Sequence, residues 1–240
     1  MTQVTWLSEE ELLFHRMVTF HRDRVEAVAA NAKAFTKQGK GFLVIHLIPV
    51  QSVASRGRFE STKLKEFGSK IYPLGDRGGQ SRFNVDGLMN YDGREELRAY
   101  SQVYRDGRVE AVMSDAAYPL DRQQSEGRFV LRDIICERGA FDLVRSYLAF
   151  CKSMEIVTPI WMFSALVDCQ GVRILTDRSW RDVSQHSIDR SPAYLPELEV
   201  TTVDAKVESL LQPWCDSLWQ SSGLERSYSY DEQGNWHERR

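Results

Sequence analysis

From Phe42 to Val50 every position except His46 is apolar. A run with no polar alternation is what a strand covered on both faces looks like, and it marks the middle of one substantial core. Ahead of it, Ser8 followed by Glu11 predicts a helix start through a capping box. Leu13, Met17, Phe20, Arg24 and Val28 then recur at helical spacing, so residues 1–35 read as a helical segment from about Glu9 to Phe35. Arg82–Asn90 reads as a second strand. Tyr100–Met113 reads as a hairpin around Asp106-Gly107, a two-residue turn signal. That turn pairs Tyr104 with Val109, Gln102 with Ala111 and Tyr100 with Met113 on the core face. Glu110, Arg105 and Arg108 are then expected to be exposed or to line a groove.

Further on, Arg128–Leu131 is short and strand-like. Ile134–Glu155 carries an apolar stripe of Phe141, Val144, Leu148 and Cys151 at helical spacing. Pro159 opens another buried strand through Val167, and Asp168–Gly171 turns it into Val172–Leu175. Arg178–Val203 reads as loop. Asp204 can cap a helix through Leu211, and Pro213 suits the first turn of another ending near Gly223, giving C-terminal helices over 204–223. Trp214 and Trp219 belong to a helical stripe of core or partner-interface character. Hairpins outnumber βαβ units, which predicts an α+β fold: one domain over 1–240, a largely antiparallel sheet with N-terminal, central and C-terminal helices packed on it.

Hydrophobic residues at 42% and charged residues at 27% of the 240 are ordinary for a globular chain. No apolar run reaches the roughly 20 residues that span a bilayer, so no membrane partner is expected. The first ten residues lack the basic start and apolar core of a signal peptide, which predicts a cytoplasmic protein. Cys136, Cys151, Cys169 and Cys215 are widely spaced in apolar contexts and read as buried free thiols. The net charge of -3 conceals an uneven distribution. Thr36–Phe83 holds nine Lys/Arg against three acids, a net of +6, while Asp182–Arg240 holds eleven acids against five bases, a net of -6.

Two constellations could carry chemistry. His46 shares a strand face with Phe42, Val44 and Ile48; a neutral imidazole there can act as base or ligand, although a core histidine with both nitrogens hydrogen-bonded is commoner. Asp86, Glu110 and Asp115 come from neighbouring predicted strands and, with His46, could converge on a divalent cation as in metal-dependent nucleases. No lysine stands at the Glu-x-Lys spacing of such enzymes, and Asp86-Gly87 also fits a plain turn. His15 and His21 are six apart, the wrong spacing to share a metal on one helix face. The second constellation is the basic loop over 51–81, which reads as an extended surface loop with a short irregular helix. Its Arg56, Arg58, Lys63, Lys65, Lys70 and Arg77 are interleaved with Phe59, Phe67 and Tyr72. Cations that neutralise phosphates beside rings that stack on bases are the parts of nucleic-acid recognition. The alternative is a solvated loop whose rings tuck back onto the core. No phosphate-binding loop, nucleophile elbow or dinucleotide fingerprint is present, and no cofactor or metal is expected.

Taken together, Phe20–Val28, Leu43–Pro49, Arg82–Gly87, Tyr100–Val112, Pro159–Leu175, Pro213–Gly223 and Ser229–Trp236 resemble, in order, a bacterial region. It is the region C-terminal to the Schlafen/AlbA-type DNA-binding domain in proteins often labelled ATP-binding. In such proteins the DNA-binding role belongs to the upstream domain, and the resemblance carries over no catalytic residues. What it implies is a non-catalytic accessory or sensing subunit in a bacterial cytoplasm, in a phage or mobile-element defence setting, acting through a protein partner. The residues themselves add the nucleic-acid backbone as a possible second partner. Metal-dependent nuclease and pure protein-interaction module are the alternatives.

Overall fold

The computed structural model describes residues 7–36, 38–55, 57–76, 78–120, 128–176 and 182–238. Its first element, α1 (Glu9–Ala30), begins as the sequence predicts: Ser8 Oγ accepts from Glu11 N at 3.2 Å, and Glu11 Oε2 accepts from Ser8 N at 2.7 Å. A short 3₁₀ turn over Ala32–Ala34 ends the helical segment.

The strands are β1 (Lys40–Pro49), β2 (Gln80–Phe83), β3 (Gly87–Asp92), β4 (Ala99–Tyr104), β5 (Val109–Pro119), β6 (Phe129–Leu131), β7 (Ile160–Val167) and β8 (Ala193–Val200). They form one sheet in the order β2-β3-β4-β5-β1-β7-β8, with β6 on the far end of β5, and every pair of strands is antiparallel. The expected α+β class and largely antiparallel sheet are what the structure has. β1 lies between β5 and β7, which explains its unbroken apolar run: both neighbours and both faces are protein.

Alternation along β1 divides the interior into two layers. Leu43, Ile45 and Leu47 face the main core, built with α4 (Asp133–Met154) and the C-terminal helices α5 (Val207–Leu210) and α6 (Gln212–Gln220). Trp214 and Trp219 are buried there, in the core rather than at a surface. Phe42, Val44, His46 and Ile48 face α1 instead, where Val25 and Val28 meet Phe42 and Val44, and Met17 meets Ile48. The C-terminal segment is fixed to α4 by the buried Glu137, whose carboxylate accepts from Trp219 Nε1 at 2.9 Å, Ser227 Oγ at 2.7 Å and Trp236 Nε1 at 2.8 Å. All four cysteines are buried and free.

Four details depart from the sequence reading. Arg82–Asn90 is a hairpin rather than one strand, turning at Asn84–Asp86 between β2 and β3. The loop over 51–81 has, besides the short irregular helix expected in it, which runs from Ser61 to Gly68 as α3 (Ser61–Lys63) passing into a wider turn, a second helical turn at its start, α2 (Val50–Ala54). β8 falls inside the stretch read as loop. The fourth is the register of β4 and β5: Tyr100 pairs with Val112 and Gln102 with Glu110, one residue away from the predicted pairing. The cause is a three-residue connection in which Gly107 adopts φ +91°, following a turn closed by Gly107 N donating to Tyr104 O at 3.0 Å. A one-residue slip sends every side chain of one strand to the opposite face. Glu110 therefore points inward, toward α1, together with Tyr100 and Gln102.

Candidate functional site

The structure gathers the chemistry-bearing side chains of the α1 layer around Glu110. His46 and Glu110 are direct cross-strand partners on β1 and β5, and both are fully buried. His21 and Arg24, three apart on α1, project from the same helix face onto them. Arg24 grips the carboxylate with two bonds, Nε to Oε2 at 2.6 Å and Nη2 to Oε1 at 2.7 Å. Tyr100 donates its hydroxyl to Oε1 at 2.7 Å, and His46 Nε2 lies 3.0 Å from Oε2. The other nitrogen of His46, Nδ1, is 2.8 Å from Nδ1 of His21. The result is a continuous chain, Arg24–Glu110–His46–His21, running from α1 into the sheet and back to the same helix.

Proton positions follow from the donor inventory. An ionised carboxylate only accepts, so His46 carries a proton on Nε2. Between the two Nδ1 atoms a single proton is shared, one imidazole donating and the other accepting. Aromatic rings close the space around both imidazoles. Phe20 stands edge-on to His46 with centroids 5.4 Å apart, and Phe163 stacks on His21 at 5.6 Å. Arg108, held by Asp106, lies 4.2 Å above the Phe20 ring.

Burial and charge set the ionisation of these groups. Burial would raise the Glu110 carboxyl, but the bonds from Arg24 and His46 outweigh it and hold the group down to about 2. Burial, reinforced by the neighbouring His46 and Arg22, lowers His21 to about 2, so it is neutral at physiological pH. Burial and then the Glu110 charge push the Tyr100 hydroxyl well above its ordinary value. Arg24 and Glu110 hold opposite charges, locked against each other by two hydrogen bonds.

This geometry corrects the nuclease expectation for His46, Glu110 and Asp86. A carboxylate offers about four lone-pair positions, and four donors already occupy them on Glu110. His46 has both nitrogens engaged. Asp86 sits on the exposed turn between β2 and β3, its carbonyl accepting from Arg105 N at 3.0 Å. Asp86 and Glu110 line the same small cleft of about 240 Å³ beside α1, yet nothing draws the two carboxylates onto a common point. Asp115 is five residues beyond Glu110 on β5 and accepts from Gly39 N at 2.7 Å and Gln38 N at 3.3 Å. Among the described residues no group of three or more His, Cys, Asp or Glu side chains is placed to hold a metal ion.

The basic loop has the opposite character. Arg58, Lys63, Lys65 and Lys70 are all exposed, and none forms an ion pair with another described residue. Arg56 and Arg77 lie outside the described residues. The interleaved rings divide: Phe59 and Phe67 pack against the main core, whereas Tyr72 is 49% exposed. Arg58 lines a surface cleft of about 350 Å³ with Arg105 and Arg108.

Sequence reasoning did not anticipate His21, Arg24 or Tyr100 as members of one network. One signal was present: Arg24 is the lone charge in an otherwise apolar helical stripe, and a charge in that place requires a buried partner. Compared with known proteins, the chain matches no protein-family model, no curated protein and no solved structure. The Schlafen/AlbA-type resemblance therefore rests on the sequence segments quoted for it.

Proposed function

We propose that the protein is a non-catalytic accessory subunit that holds a nucleic-acid backbone on its basic loop and works with a protein partner. A bacterial defence setting is the one the sequence resemblance implies. The observation that carries the reading is the set of exposed cations at Arg58, Lys63, Lys65 and Lys70, none of them ion-paired with another described residue, with Lys70 over the Phe67 ring. Unpaired cations are available to displace the counterions of a phosphate backbone. With Phe59 and Phe67 turned inward and Tyr72 alone as a stacking ring, the surface offers charge with little base readout. The expected binding is insensitive to sequence and steeply dependent on salt.

Fluorescence anisotropy with labelled single-stranded and duplex oligonucleotides over a range of salt concentrations tests this. Each neutralised phosphate contributes about 0.7 (single strand) to 0.9 (duplex) to the slope of log K against log salt. Replacing Arg58, Lys63, Lys65 and Lys70 together with alanine should flatten that slope by about 3, and reduce affinity alike for all sequences. An unchanged slope in the folded variant would remove the loop from the binding surface.

A further inference from the structure

A second surface lies on the opposite layer from the basic loop, whose Leu64 and Ile71 pack into the main core on the α4 side. An open groove of about 980 Å³ runs between the first half of α1 and the β7 side of the sheet. Its apolar lining includes Leu7, Phe14, Val18 and Trp161, with Phe14 and Trp161 edge-to-face at 4.9 Å and Leu7 60% exposed. Phe14, Val18 and Trp161 are part-exposed along this groove, so their apolar edges are open to an incoming side chain.

The charges at its rim are sorted. Glu9, Glu10 and Glu11 from α1 and Glu199 from β8 line the end near Leu7 and Trp161. Arg22 lines the other end, its guanidinium 5.7 Å from the Tyr194 ring centroid. Glu11 is engaged by Ser8, and acids in the first turn of α1 also complement the helix dipole. Glu199 has no such duty, since it comes from a strand and is exposed directly across from Trp161.

We propose that this groove docks a basic amphipathic helix of another polypeptide. Its apolar anchors at i, i+3, i+4 and i+7 would lie along Phe14, Val18 and Trp161, and its Lys or Arg residues beside Glu10 and Glu199. Charge complementarity selects a basic segment over an acidic one and sets its direction, with its cationic end away from Arg22. The inference does not depend on the nucleic-acid reading, because the two surfaces share no residue.

The test uses the full chain and a fluorescein-labelled helical peptide of about four turns, Leu at the anchor positions and Lys between them. A matching peptide with Glu in place of Lys serves as its opposite. The Lys peptide is expected to bind at least about tenfold more tightly. Glu10→Lys with Glu199→Lys should reverse that preference, and Leu7→Gln, on an exposed site that leaves the core untouched, should weaken the Lys peptide. Two controls separate this from other causes. Glu225→Lys with Glu232→Lys, an equal charge change elsewhere, should leave peptide binding unchanged, as should the quadruple alanine variant of the basic loop. Equal affinity for the two peptides, an equal loss in the Glu225/Glu232 variant, or a dimer in sedimentation that Leu7→Gln dissolves would each overturn the proposal.

Discussion

Of the two members of the ion pair beside α1, only Glu110 is out of reach of water: its side chain is 1% exposed, against 37% for Arg24. Removing either partner therefore has unequal consequences. Arg24→Met leaves a buried carboxylate with only His46 and Tyr100 to stabilise it, and is expected to cost about 3–5 kcal/mol in urea unfolding near neutral pH. Glu110→Gln releases an arginine that can turn to solvent and should cost less, about 1–3 kcal/mol. A larger loss in Glu110→Gln than in Arg24→Met would contradict this account. The same network predicts acid sensitivity. Both His21 and Glu110 have folded values lowered to about 2, so the unfolded state binds more protons at acidic pH and stability rises with pH. Acidification should begin to destabilise the protein near 6.5 through His21 and more steeply below about 4.5 as Glu110 joins, each bound proton adding a slope of about 1.4 kcal/mol per pH unit. His21→Asn should flatten the upper part of that profile and leave the lower part, which unfolding midpoints measured from pH 7 to 3 would show.

At the level of elements, the β4–β5 hairpin decides which face Glu110 occupies. Gly107 is central to it: φ is +91°, and an added Cβ would lie 2.8 Å from Ile156 Cδ1 and 3.0 Å from Phe59 Cε2. Gly107→Ala is expected to lower stability by about 1–3 kcal/mol, read from the urea midpoint, since both the backbone region and the packing oppose it. This hairpin also marks the limit of legibility in the sequence. Asp106-Gly107 announces a turn, but the dipeptide serves equally in a two-residue loop and in a three-residue loop whose glycine is left-handed. That single residue separates an exposed Glu110 from a buried one. Long periodic signals were readable: α1 and its cap, β1, α4 and β7 lie where the pattern of apolar positions puts them. The β8 strand was not, because Pro196 and the exposed Tyr194, Glu197 and Glu199 belong to an edge and carry the marks of a loop. His46 was legible in part: its strand face follows from alternation, whereas His21 and Arg24 meet it only through the packing of α1, which no local pattern encodes.

Across the whole molecule, one sheet serves both layers, so α1 and the α4 side cannot unfold independently without exposing opposite faces of the same strands. Tryptophan fluorescence, to which Trp214, Trp219 and Trp236 on the α4 side and Trp161 beside α1 are among the six contributors, should therefore change at the same urea concentration as the far-ultraviolet dichroism. Separated transitions would show two folding units. The position of β1 at the centre of the sheet has a further consequence during synthesis. Its partners β5 and β7 are encoded far downstream, and β7 follows it by about 110 residues, which a ribosome adding about 5–20 residues per second takes roughly 5–20 s to make. Until β5 is made, about 60 residues on, the most apolar segment of the nascent chain has neither edge paired, and the second edge stays open until β7 follows, an exposure absent from the finished protein.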